Sequence, residues 1–536
     1  KAEGINGGYR RSSWIMSEGS IQLFSWNRFF SRSLGSVSSV VLLVHLVPLA
    51  LSAQQDSLAL RYAATITEAD MRTHLTILAS DAYMGRDTGK EGQKMAAAYL
   101  KSQFQKDGIP PVPVDRPDLI EEGYFQTYQL VEEKKGSIRL MDMRDTLTLG
   151  NGLIYFGEDL RSDRNVKQLQ WLGNGASERS KKVDPVVLLV EDGSKEVTEM
   201  MVWAVARMEK LREKGAEVII IATPRMAELE AKLGHQLSGS RVRLADGRKK
   251  VDATSTQLIL IDAVRMEGLF PKTSWAKLSK RKGERVVPVD LTLVYTPQEG
   301  ELQAENVLAY IEGTDKKEEL VVITAHYDHI GVENGVVYNG ADDDGSGTVA
   351  LLGIAKALAR AKAEGHGPRR SVLVMPVSGE EKGLLGSRYY SEHPVFPLEN
   401  TVADLNIDMI GRTDSAHMAK APYVYVIGSD RLSMGLHDIN EAANTNYSKL
   451  DLDYTFNAPD DPNRFYFRSD HYNFARKGVP SIFYFSGVHE DYHQPGDDVE
   501  KIQFDLLHQR TLLVFHTAWM LANMEERIAV DKALKP

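Results

Sequence analysis

Short, continuous apolar runs alternate with amphipathic ones through the second half of the chain. NVLAYIEG, LVVITAHYD, SVLVMPVS and TVADLNIDMI have strand length, while TVALLGIAKALARAKAEG and a segment near GSRYYSEH carry helical spacing. Strands that are apolar throughout, rather than at every second position, belong to a largely parallel sheet covered on both faces. Upstream, EADMRTHLTILAS places Met71, Leu75, Ile77 and Leu78 near one helical face, and MAAAYLKSQFQKDG predicts a second helix closing at Gly108, with Pro110 and Pro111 behind it. TYQLVEE, GSIRLMD and DTLTLG then read as strands. From about 153 to 294 the texture becomes strand, helix, strand, strand: VDPVVLLVED, EMMVWAVARMEKLREKG, AEVIIIATP and TQLILIDA. That stretch holds no convergent histidine and carboxylate cluster, and it reads as a smaller inserted or appended domain.

A length of 536 residues exceeds one ordinary core and predicts two or more domains plus any processed segment. Hydrophobic residues at 43% and charged residues at 26% are a globular composition, and a net charge of -10 argues against a nucleic-acid partner. The chain has no cysteine, which removes disulfides, thiolate metal sites and thiol nucleophiles together. Near the start, Arg28 and Arg32 precede the apolar run VVLLVHLVPLA, with small residues at Ser52 and Ala53. That is the order of a secretory signal peptide, and the run is too short to span a bilayer comfortably. Met16 suits a true start. The expected location is therefore outside the cytoplasm, in a bacterial periplasm or the medium, with no stable membrane insertion after cleavage.

The candidate chemistry sits where the later strands end. His326-Tyr327-Asp328 follows LVVIT, Asp342-Asp343-Asp344 lies in GADDDGSG, Glu380-Glu381 follows SVLVMPVSG, Asp408 closes LNIDMIG, and His493 stands in DYHQPGDD. In a parallel sheet ligands bind beyond the carboxyl ends of the strands, so these clusters are predicted to converge. Singly each has a bland reading: an aspartate run caps a helix, and an acidic pair opens one. Together they supply two imidazoles and several carboxylates, enough for two divalent ions sharing one bridging carboxylate. Spacing leaves open which aspartate bridges. His326 would ligate while Asp328 orients its ring, and His329 is expected to pack or face solvent. Adjacent glutamates diverge, so one of Glu380 and Glu381 can ligate while the other serves as base.

The motifs AHYDHIG, NGADDDGSG, SGEEKGLLGS, NIDMIG, FRSDHYNFARKGVPS and YHQPGDD resemble those of the co-catalytic zinc aminopeptidases and glutamate carboxypeptidase-like enzymes of metallopeptidase clan MH, peptidase family 28. ILASDAYMGRDTGKEGQKMAAAYL resembles the family's N-terminal entry. The resemblance implies an α/β fold: a three-layer α/β/α zinc-exopeptidase domain of phosphorylase/hydrolase-like type with a mostly parallel central sheet, plus a smaller inserted protease-associated-like domain. The implied divisions are 1-53 for upstream residues and signal peptide, 54-150 and 298-536 for the two parts of the peptidase domain, and 151-297 for the insertion. One metal would be held by His326, Asp343 and Asp408, the other by Asp343, Glu381 and His493, with Asp343 as the bridge. Glu380 would be the general base and Asp328 the partner of His326.

The cofactors implied are two divalent metal ions, zinc first, with manganese or cobalt suited to the same donors. The activity implied is exopeptidase hydrolysis near a chain terminus, read as aminopeptidase, on peptide substrates. Two other readings share the fold. A glutaminyl cyclase would hold one zinc and cyclise N-terminal glutamine; a receptor-like member would cleave nothing from a substrate panel. Arg464 or Arg468, if facing the metals, would suit an acidic or carboxylate-bearing substrate.

Overall fold

The computed structural model describes residues 55–113, 118–141, 146–156, 164–174, 181–191, 193–238, 240–245, 256–269, 283–418 and 422–533. The segment read as upstream residues and signal peptide lies outside them. Among the described residues no helix is long and apolar enough to cross a membrane.

The expected strand and helix alternation forms a seven-stranded sheet in the order Ala309–Ile311, Arg370–Val377, Lys316–His326, Thr401–Ile407, Ser481–Phe485, Tyr423–Ile427, Asp451–Asp453. The four strands from Arg370–Val377 to Ser481–Phe485 run parallel, with His326 opposite Val377 and Ile407 opposite Tyr484. Their carboxyl ends therefore finish side by side. Alternate side chains enter two cores. Val321, Ile323 and Ala325 pack with the helices Gly347–Ala363 and Phe504–Asn523, while Leu320 and Val322 join Leu373, Met375, Tyr390 and Phe474. This two-sided burial is why the strands read as unbroken apolar runs.

The two upstream helices form as the spacing predicts. Thr67 caps Glu68–Leu78 by accepting from the Asp70 amide at 3.2 Å, and Met71, Leu75 and Leu78 are buried. Glu91–Lys106 ends just before Gly108, whose φ of +76 reverses the chain.

A nine-stranded sheet accounts for the middle of the sequence. Its long strands Phe125–Met141 and Arg285–Val307 pair antiparallel, joining TYQLVEE and GSIRLMD into one element. The divisions read at 151 and 297 fall within the stretch that forms this sheet: Thr146–Leu149 precedes the first, and Arg285–Val307 runs across the second. NVLAYIEG is not a single strand. Asn306 still pairs with Gln126, but the Leu308 amide bonds the Tyr124 carbonyl, and from Ala309 the chain pairs with Arg370–Val377. The chain changes sheets at that residue.

Two core histidines give the fold an acid sensitivity. His516 stacks on Tyr447 at 3.9 Å, and burial pushes its pKa down to about 4; burial likewise takes His471 to about 3. Both are neutral when folded and titrate near 6.5 when unfolded, so stability is full above about pH 6.5 and falls as pH drops toward 4, where the unfolded chain binds the extra protons. For His516→Phe, which keeps the stack, the loss of stability between pH 7 and pH 5 measured by urea denaturation should shrink by about 2 kcal/mol relative to the parent. An unchanged pH dependence would exclude His516 as a source.

Candidate metal centre

Four of the five predicted ligands follow the carboxyl ends of strands of the seven-stranded sheet. His326 is the last residue of Lys316–His326, Glu380 and Glu381 follow Arg370–Val377, and Asp408 follows Thr401–Ile407. His493 comes from the loop after Ser481–Phe485. Asp343 sits in the turn Ala341–Ser346 ahead of Gly347–Ala363, and its φ of -100 and ψ of 97 break the helical path there. The turn depends on Gly340, at φ +56, where a β-carbon would collide with the His329 ring and the Asp343 carbonyl.

The structure brings all five predicted ligands together. His326 Nε2 lies 3.3 Å from Asp343 Oδ1 and 3.6 Å from Asp408 Oδ1. His493 Nε2 lies 3.1 Å from Asp343 Oδ2 and 3.3 Å from Glu381 Oε2. Donors held tetrahedrally around a zinc ion would stand roughly 3.4 Å apart, given metal to ligand distances of about 2.0–2.1 Å. The two oxygens of Asp343 thus face two different histidines. His326 Nε2 and Asp343 Oδ2 are buried without a hydrogen-bond partner among the described residues. Such orphaned polar atoms are costly, and a cation fits both sets of donors.

The electrostatics have the same sense. Burial opposes protonation of His326, yet Asp343 and Asp408 hold its pKa well above the usual histidine range. His493 is pushed up to about 10, its burial outweighed by Asp343 and Glu381. Asp343 is held well below the carboxylate range by His326 and His493 despite its own burial, and Glu381 falls to about 2 against burial and Asp343, drawn down by His329 and His493. Cations binding here would displace the imidazole protons. Glu380 differs. Burial raises its pKa well above normal, with Glu381 and Asp408 adding to the rise, and it lines the open pocket beside Asp343 and Asp408. The adjacent glutamates diverge, Glu381 onto His493 and Glu380 toward the pocket.

Asp328 departs from its expected contact. His326 Nδ1 lies 3.0 Å from the main-chain oxygen of Asp328, while the nearer carboxylate oxygen is 3.8 Å away. The carboxylate is engaged elsewhere: it accepts from Thr88 Oγ1 at 2.5 Å and from the Glu380 amide at 3.3 Å. It therefore ties the glutamate pair to the upstream segment.

Other contributors escaped sequence reading. His329, expected to pack or face solvent, is fully buried with Nδ1 2.8 Å from Glu381 Oε1. Asp344 also approaches His326 and Asp408, but its Oδ1 already accepts from the Gly347 and Met409 amides at 2.9 and 3.0 Å. Asp497 accepts from the Asp342 and Asp343 amides at 3.0 Å and, buried beside Asp342, has its pKa pushed up to about 6. Ser469 Oγ donates to Asp408 Oδ2 at 2.6 Å. Arg86, fully buried, donates to the carbonyls of Leu78, Tyr327, Asn339 and Gly340 at 2.7–2.8 Å, clasping the strand end that carries His326 to the turn that carries Asp343. All of these residues lie within the quoted motifs, but the contacts that give them their roles, such as Arg86 to Gly340 or Asp497 to the Asp343 amide, are long-range and carry no spacing signal.

Residues 306–518 match Peptidase family M28. A probable zinc metalloprotease of Pyrenophora tritici-repentis (strain Pt-1C-BFP) is 26% identical over 274 residues, covering 43% of this chain and 54% of the relative. A probable leucine aminopeptidase of Arthroderma otae (strain ATCC MYA-4605 / CBS 113480) is 30% identical over 224 residues, covering 40% and 57%. The chain thus spans little more than half the length of these relatives. The aminopeptidase from Aneurinibacillus sp. strain AM-1 superposes with a TM-score of 0.50 at 17% identity, over 89% of this chain and 98% of that one, a likeness of fold. The segment that holds all five ligand candidates, residues 306–518, is a domain of peptidase family M28.

Proposed function

We propose that the protein is an exported metal-dependent exopeptidase, an aminopeptidase, which hydrolyses the peptide bond next to a chain terminus. The observation that carries this reading is Asp343, with one carboxylate oxygen toward His326 and the other toward His493. In this reading His326, Asp343 and Asp408 hold one zinc ion, and Asp343, Glu381 and His493 hold the second. When bound, the metal pair lowers the pKa of a water toward neutrality and polarises the scissile carbonyl. Glu380, which lines the pocket beside Asp343 and Asp408, takes the proton of the attacking water and passes it to the departing amine. Asp328 keeps the Glu380 main chain in place through its carboxylate.

The proposed architecture is a three-layer zinc-exopeptidase domain, with residues 151–297 as a protease-associated-like insertion and residues 1–53 as the export segment. The two named relatives, a zinc metalloprotease and a leucine aminopeptidase, support the activity. The test is hydrolysis of aminoacyl p-nitroanilides by the zinc-loaded chain. Free-amine substrates should be cleaved and N-acetylated ones spared, with activity abolished by a chelator and restored by zinc. Cleavage of neither kind with zinc supplied would overturn the assignment.

A further inference from the structure

One arginine beside the metal centre has no anionic partner among the described residues. The pocket lined by Glu380 and Asp408 is also lined by Phe465, Phe483, Phe485 and Arg468. Arg464, the other arginine of the same loop, lines a separate cleft with Arg431 and Tyr466, its guanidinium 5.0 Å from the Phe467 ring. Arg468 is the one aimed at the reaction site.

Its position is fixed from both sides. The guanidinium carbon lies 4.8 Å from the centre of the Phe465 ring, and Nη2 donates to the Tyr492 hydroxyl at 3.3 Å. Tyr492 in turn stacks on His493 at 3.9 Å, and the residue after Arg468, Ser469, donates to Asp408. The guanidinium is thus tied to the ligand His493 through Tyr492 and to Asp408 through its own main chain. The carboxylates that line the same pocket, Asp343, Glu380 and Asp408, make no ion pair with Arg468 among the described residues, so its guanidinium is left to meet an anion in the pocket. Guanidinium pairs with a carboxylate through parallel hydrogen bonds, a geometry no neutral amide reproduces.

We propose that Arg468 is a specificity-determining residue that selects substrates bearing a carboxylate within one residue of the scissile bond, while the phenylalanines take the apolar part of the substrate. The inference rests on the hydrolytic reading above. The carboxylate has two possible sources: an acidic side chain on the terminal residue, or the free C-terminus of a dipeptide.

The experiment compares matched substrates on the zinc-loaded full chain: Glu against Gln p-nitroanilide, and Leu-Leu against Leu-Leu-amide. The carboxylate member of one pair should be preferred in kcat/KM by roughly tenfold or more, the range of a charge-assisted hydrogen bond, mostly through a lower KM. Which pair responds identifies the source. In Arg468→Gln the ratio should fall to near one, and in Arg468→Lys it should be partly kept. A ratio near one for both pairs in the parent, or a preference that survives in Arg468→Gln, overturns the proposal while leaving the hydrolytic reading intact. No hydrolysis of any of the four overturns both.

Discussion

Glu380→Gln is expected to retain the parent's zinc content and lose about 10²- to 10⁴-fold in kcat, the usual contribution of a positioned general base. The substitution preserves shape and the main-chain contact, since the Glu380 amide rather than its side chain meets Asp328. What it removes is the ability to accept a proton in the pocket beside Asp343 and Asp408. Because Glu381 and not Glu380 contacts His493, the metal should stay. Zinc analysis and steady-state kinetics on the same preparation separate the two effects. A kcat within a few-fold of the parent would remove Glu380 from proton transfer.

The second large effect is expected at Asp343. Asp343→Ala should empty both metal positions and abolish activity, because one carboxylate faces His326 and His493 at 3.3 and 3.1 Å. Asp343→Asn keeps one oxygen and should hold at most one ion per chain. The neighbouring Asp344→Asn is the discriminating control. Asp344 also lies within ligand range of His326 and Asp408, but its Oδ1 caps two main-chain amides, a role an amide oxygen can fill. Metal content measured after dialysis should therefore fall in the Asp343 variants and persist in Asp344→Asn. The reverse pattern would move the ligand role to Asp344. Removing one partner from so buried a cluster also costs roughly 3–5 kcal/mol when a charge is left unpaired, so thermal stability in zinc should drop alongside metal content.

The strand ends were legible because apolar runs of strand length stopped at His326, Glu380 and Asp408, and a charge in that place must be paired or bound. Helices were legible where spacing and stop signals agreed, as at Met71, Leu75 and Leu78 or at Gly108. The change of sheets at Leu308 was hidden. NVLAYIEG is apolar on both sides of it, and only the competition between two hydrogen-bonding partners divides the run. In the site, the candidate ligands came from motifs that resemble a known family, and the structure brings them together, whereas the orientation of the side chains around them was not legible. Asp328 meets His326 through its main chain because Thr88, some 240 residues away in sequence, occupies its carboxylate. His329 can lie inside the centre because Gly340, lacking a β-carbon, leaves room for its ring. Such contacts are set by tertiary packing, which no spacing rule encodes.

The clasp made by Arg86 bears on how the protein can be divided. Residues 306–518 contain every candidate ligand, yet the carbonyls flanking two of them are gathered by a guanidinium that enters from upstream of the nine-stranded sheet, with Thr88 beside it. A truncation that keeps the motifs but starts at Asn306 would leave the carbonyls of Tyr327, Asn339 and Gly340 without the Arg86 donor and the Asp328 carboxylate without Thr88. Boundaries for expression, or for grafting this centre onto another scaffold, should accordingly be drawn to include the segment around Arg86 and Thr88 as part of the catalytic unit.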